Sequence, residues 1–178
     1  MHDDVKSEID PDQWVFQFPD VQNDFGAFCS RWFHASLTYE EALSCYFTTV
    51  HHPLPDSVRH LCLTQALEAY HGVKNAAHHN DFELKIRELA EAHRRNLPGL
   101  FDDPLDFATT VRHNRNYYTH HNPKWLSYGR VLLGTDLFRL NEKLRVLFQA
   151  CMLDELRISP ERCSRLRRQL ATHIVNYY

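Results

Sequence analysis

Glycine and proline are sparse in this sequence, with five Gly and eight Pro in 178 residues. A sandwich or barrel of this length reverses direction every few residues and needs more turn formers, so the chain is pushed toward long helices. Helix punctuation is legible along it. Asn23 or Asp24 opens a first helix with Phe25, Phe28 and Trp32 on one face. Thr38-Tyr39-Glu40-Glu41 has the capping-box pattern and opens a second, to about Val50. Asp56 caps a third, whose inward stripe is read as Val58, Leu61, Cys62, Gln65, Ala66, Ala69 and Val73. Asp81 caps a fourth, to about Arg95. Asp103 followed by Pro104 opens a fifth, which ends near His120 because Asn122 precedes Pro123. Thr135 or Asp136 opens a sixth, to about Arg157, and Ser159-Pro160 a seventh. The expectation is all-α: a compact helical bundle of about six to seven helices over residues 14–178, behind an acidic arm, 1–13, expected to be disordered.

The net charge of -3 hides a split. Residues 1–41 hold nine acids and two bases, whereas residues 42–178 hold 14 acids and 18 bases. An acidic arm beside a mildly basic body hints at nucleic acid without establishing it. Five cysteines (Cys29, Cys45, Cys62, Cys151, Cys163) form no C-x-x-C pair, which points to reduced, mostly buried thiols. No apolar run approaches the ~20 residues of a membrane span, and Met1-His2-Asp3-Asp4 lacks the apolar stretch of a signal peptide. A cytoplasmic protein without membrane partners is expected.

One segment carries chemistry: Val111-Arg112-His113-Asn114-Arg115-Asn116-Tyr117-Tyr118-Thr119-His120-His121-Asn122-Pro123. At about 100° per residue from Val111, Phe107, Tyr118 and Ala108 form a core-facing stripe, and Arg115 falls inside it at about 40°. A guanidinium there must be paired. Asn116 and His120 share a neighbouring face at about 140° and 180°. His120 lies in the last turn before the Pro123 break and is expected to leave the helix and swing toward Arg115. The combination suits phosphodiester cleavage without a metal. An imidazole takes a proton from a ribose 2′-OH or protonates the leaving 5′ oxygen. An arginine forks onto the phosphate and stabilises transition-state charge, and an amide orients the imidazole. One histidine serves poorly as both acid and base, so two copies from a homodimer would supply the pair. Arg-x4-His also occurs at Arg168 and His173, but only Arg115-Asn116…His120 extends it to Arg-Asn-x3-His. The residues also admit a structural reading, with Arg115 paired to a buried Glu and His120 capping a helix end.

The chain resembles the HEPN superfamily, and within it the ApeA-like HEPN domains of bacterial anti-phage defence. Three stretches carry the likeness. Arg115 to His120 resembles the family's Arg-polar-x3-His motif near the end of a long helix. Leu63 to His71 resembles its "ALEAyh" helix. Phe16-Gln17-Phe18 through Phe25 and Arg31-Trp32-Phe33 resemble its lead-in. The resemblance implies a helical bundle, a face-to-face dimer with two motifs in one cleft, and metal-independent endoribonuclease activity leaving 2′,3′-cyclic phosphate ends. It further implies a toxin or abortive-infection role, with RNA (tRNA among the candidates) as substrate. A larger N-terminal sensor region or other defence components would be its partners. A non-catalytic dimerisation or partner-binding module is the alternative.

Around the motif, Glu68 is expected to pair with Arg115 and hold it. Arg112, His113 and Lys124 are expected on RNA phosphates, and Tyr117 on a base. No cofactor and no metal are called for. Glu68-Ala69-Tyr70-His71 has the Glu-x-x-His form of a di-iron ligand pair, but the sequence has no second copy. The pairs His51-His52, His78-His79 and His120-His121 read as loop or cap residues. Arg157, Arg162, Arg165, Arg167 and Arg168 read as a solvated helix face or an RNA track.

Overall fold

Helix α3 touches most of the molecule, and the fold is described outward from it. The computed structural model describes residues 18–75 and 81–158. These hold six α-helices: α1 (Phe25–Thr38), α2 (Glu40–His51), α3 (Asp56–Lys74), α4 (Phe82–His93), α5 (Pro104–His120) and α6 (Gly134–Glu155). There is no strand among the described residues, so the all-α reading is right. The acidic arm, the seventh helix expected from Ser159, His78-His79, Cys163 and the arginines beyond Arg157 lie outside the described residues. No described helix is long and apolar enough to cross a membrane.

Helix α3 packs on α2, α4, α5 and α6, and α4 lies along α5. Their shared core is built from Leu63, Leu67 and Tyr70 of α3, Ile86 and Ala90 of α4, Ala108 and Val111 of α5, and Leu144, Leu147, Phe148 and Cys151 of α6. Every residue from Val146 to Leu153 is buried, so α6 is enclosed on all sides over two turns. Helix α1 sits at the margin. Only Ala35 is fully buried there, while Phe28 and Trp32 lean on the core. Arg31 ties this helix to the far end of α6, its Nε donating to the Leu156 carbonyl at 2.9 Å.

Local cap chemistry set several boundaries as expected. The Asp81 carboxylate accepts from the Glu83 and Leu84 amides, and Asp103 accepts from Asp106 N with Pro104 in the first turn. Three expectations fail. Asp56 is the first residue of α3 but does not cap it: Pro55 holds the N-cap position and no side chain bonds the first amides. Thr38 caps nothing: α1 runs through it, and the Tyr39 amide closes back on Ala35 O at 2.9 Å, so the capping box does not form. The inward stripe of α3 is also turned away from the one expected. Val58 and Val73 are 42% and 51% exposed, while His60, Leu63, Thr64, Leu67, Tyr70 and His71 face inward.

Thr64 donates to Leu61 O on its own helix at 2.9 Å, and the other polar members of that face have partners on other elements. His71 Nε2 lies 2.7 Å from Glu88 Oε2. Tyr70 donates to Glu155 Oε1 at 2.7 Å. His60 Nδ1 is 3.0 Å from Asn141 Oδ1, and Asn141 spends its amide N–H on Asp56 O at 2.9 Å. The Asn141 oxygen therefore faces the ring, and His60 carries its proton on Nδ1. Burial pulls the His60 pKa from 6.5 down to about 4. The imidazole is neutral in the fold but protonates readily once unfolded, so its contribution to stability is complete above pH 6.5 and drains as pH falls toward 4. His60 alone accounts for a loss of up to about 3 kcal/mol over that window. Thermal melts followed by circular dichroism from pH 7 downward check this. His60→Gln should be less stable at pH 7 yet show a flatter decline, whereas parallel profiles for the two proteins would refute the assignment.

Candidate active site

The guanidinium of Arg115 lies at the junction of three helices. Its Nη2 donates to Glu68 Oε2 on α3 at 2.9 Å. The other Glu68 oxygen, Oε1, takes Lys85 Nζ of α4 at 3.3 Å. The Phe82 ring of α4 lies beneath the guanidinium, its centroid 4.4 Å from Arg115 Cζ. Arg115 is not sunk in the core stripe as its helical angle suggested. Phe107, Ala108, Val111 and Tyr118 fill that stripe, and the arginine stem carries its charged head to the edge, leaving the side chain 32% exposed. Two cations and one carboxylate leave one net positive charge at this edge. Phe82 reads in the sequence only as an apolar residue of the fourth helix, and neither it nor Lys85 is linked there to Arg115. A lysine and an aromatic on a neighbouring helix carry no local signal of a shared partner.

Glu68 and His71, the pair with di-iron spacing, face different partners: Glu68 the cations of α4 and α5, His71 the carboxylate of Glu88. The likeness to the ALEAyh helix takes on a physical sense here. Ala66, Leu67 and Tyr70 are core, and Glu68 points to the arginine of the other motif.

His120 is the last residue of α5 and is exposed. The helix does not loosen to bring it back. The reversal comes one residue later, at His121, whose φ of 47° is left-handed and whose amide closes on Tyr117 O. His120 therefore stays about 140° around the helix from Arg115, and the expected swing does not occur. Asn116 is half-buried on the intermediate face. Tyr117, also half-buried, packs edge-on against Tyr118 and His121 at 5.0 and 5.8 Å.

Beyond His121 the chain folds back along α5. A 3-10 turn, Pro123–Tyr128, opens with Asn122 accepting from Lys124 N at 3.0 Å. Asn114, fully buried, secures the return: its amide donates to Thr110 O and Arg130 O, and its oxygen accepts from Leu132 N at 2.8 Å. Tyr118 adds a bond to Leu132 O at 2.6 Å, and Arg130 pairs with Asp106 at 2.6 Å.

This connector corrects the expectation for His113, which is only 7% exposed beneath Trp125 and Tyr128 and is not presented to solvent. Burial, then the Arg112 and Arg130 charges, hold its pKa below the ordinary value, so the ring is neutral at pH 7. Arg112 is committed to Glu83, 2.6 Å away, and also reaches His113 Nε2 at 3.3 Å. Lys124 is exposed at the head of the turn. The sequence reading passed over Asn114. Its signal was an amide in mid-helix, where a side chain that competes for backbone bonds needs a reason to be.

The chain thus presents a paired, half-open arginine and, on another side of the same helix, an exposed histidine at its end. A search of curated proteins and of solved structures returns no match. The family model of the Apea-like HEPN domains matches residues 61–162, from α3 through α6. That is more than half of the chain, and it includes both the Glu68 helix and the Arg115–His120 helix; the protein belongs to the Apea-like HEPN family.

Proposed function

We propose that this protein is a metal-independent endoribonuclease that works as a homodimer in the cytoplasm, as an effector of anti-phage defence. The observation that carries the reading is the setting of Arg115. A guanidinium fixed by Glu68 and Phe82, with a third of its side chain open, is ordered before a phosphate arrives and still has N–H groups to offer it. His120 serves as general acid or base, and Asn116 orients it or the phosphate. The angular separation of Arg115 and His120 on one helix favours a composite site, in which two copies of α5 face each other and each supplies part of the constellation. Two histidines then divide the work, one accepting the 2′-OH proton and the other protonating the departing 5′ oxygen, leaving a 2′,3′-cyclic phosphate. Glu68 is a positioning residue. In this reading Lys124 holds a phosphate and Tyr117 a base of RNA, which includes tRNA among its candidates. Arg112 contributes field rather than a free fork, because Glu83 occupies it.

Two experiments check this. Labelled RNA incubated with the protein in EDTA should be cut to cyclic-phosphate ends. His120→Ala and Arg115→Ala should each lose that activity by at least about 100-fold while keeping the helical spectrum. A protein that dimerises but leaves RNA intact would instead be a binding module. For the positioning role, Glu68→Ala strands Lys85 and Arg115 against each other. Because both are partly solvated, the cost should be roughly 1–3 kcal/mol, a fall in Tm of about 2–10 °C. Glu68→Gln, which keeps an acceptor for Arg115, should recover part of the stability, and a Tm unchanged in both variants would remove Glu68 from this role.

A further inference from the structure

The connector after α5 makes a feature that the cleavage chemistry does not use. His113 and His120 are seven residues apart, which puts them about 20° apart around the helix and about 10 Å along it. The returning chain crosses this face, and Trp125 and Tyr128 close over His113. Their ring centroids lie 5.3 and 5.4 Å from the imidazole, nearly perpendicular to it, and 5.6 Å from each other. Covering His113 takes only part of these rings. Tyr128 keeps 49% of its surface in solvent and Trp125 is half-buried, with exposed Lys124 beside them. The platform is held from below by the Asn114 bonds to Arg130 and Leu132. Two aromatic rings with free surface, tilted 51° to each other, with a cation alongside and a neutral ring beneath, form the kind of surface on which an unpaired nucleobase stacks.

We infer that Trp125 and Tyr128 form a stacking subsite for one unpaired base of the RNA substrate, with Lys124 on the adjoining phosphate, so that the protein selects single-stranded RNA near the bond it cuts. The inference rests on the endoribonuclease reading for its substrate but not for its measurement. The shared chemistry is a base joined to a phosphate, and RNA is favoured over a free nucleotide because the platform is open and lies on the His120 face of α5.

The test uses the full chain carrying His120→Ala, in EDTA, with a short single-stranded oligoribonucleotide containing 2-aminopurine as a fluorescent base. Binding should quench the probe. Trp125→Leu and Tyr128→Leu keep apolar cover on His113 but remove the aromatic face. Each should weaken binding by about 10-fold or more, while Trp125→Phe stays within about 3-fold of the parent. Tm measured alongside separates loss of stacking from loss of fold. Equal affinities for the Leu, Phe and parent proteins at equal Tm would overturn the subsite. A duplex of the same sequence bound as tightly would overturn the single-strand preference, and adenosine monophosphate bound as tightly as the oligonucleotide would overturn the assignment to RNA. If the unsubstituted protein fails to cut RNA yet binding still depends on Trp125, the cleavage reading falls and the subsite stands.

Discussion

A single carboxylate, Glu68, held between Lys85 and Arg115, is the constraint on which the placement of Arg115 depends. An arginine beside a core stripe is tolerated only when its charge has a partner and its flat face has a surface. Glu68 provides the first from α3 and Phe82 the second from α4, so the orientation of Arg115 is a property of three helices at once. The packing of α3 against α4 and α5 is thereby coupled to the orientation of Arg115. Any change that shifts α4 moves both the second cation on Glu68 and the ring under the guanidinium.

The histidine end of the motif is supported differently. It depends on backbone geometry at His121 and on Asn114, whose three hydrogen bonds fold the connector back onto its own helix. Imidazoles beneath this surface are kept neutral by burial. His60 lies against Asn141 and Tyr118, and His113 under two aromatic rings. Exposed His120 stands apart from both, in solvent at the tip of the helix.

The Asp81 and Asp103-Pro104 caps were legible because a side chain and the amides it bonds lie within three residues. The inward face of α3 was not. His60, Thr64 and His71 look like surface residues; the two histidines are buried against polar groups on α6 and α4, and Thr64 bonds back to Leu61 O on its own helix. Arg115-Asn116…His120 stood out in the sequence because its chemistry lies in one stretch, and Glu68 because a lone acid interrupted an apolar helix. Phe82, Lys85 and the Trp125–Tyr128 platform stayed hidden, since each acquires meaning only from a residue on another element or a turn away. Thr38 is the opposite case, a good local pattern overruled because α1 continues through it.

The two halves of the motif differ in how far along the chain their supports reach. The connector is tied to α5 by bonds between residues 14, 16 and 18 positions apart, whereas Glu68 and Arg115 are separated by 47. Closing the longer loop costs about 1 kcal/mol more in chain entropy and waits on the docking of α4 between its ends. During folding, the cradle around the histidine can close as a local hairpin, but the arginine is set only when the bundle closes. A partly folded chain therefore carries the histidine without a positioned arginine, and for a protein that would cut RNA the completion of the fold is itself a safeguard.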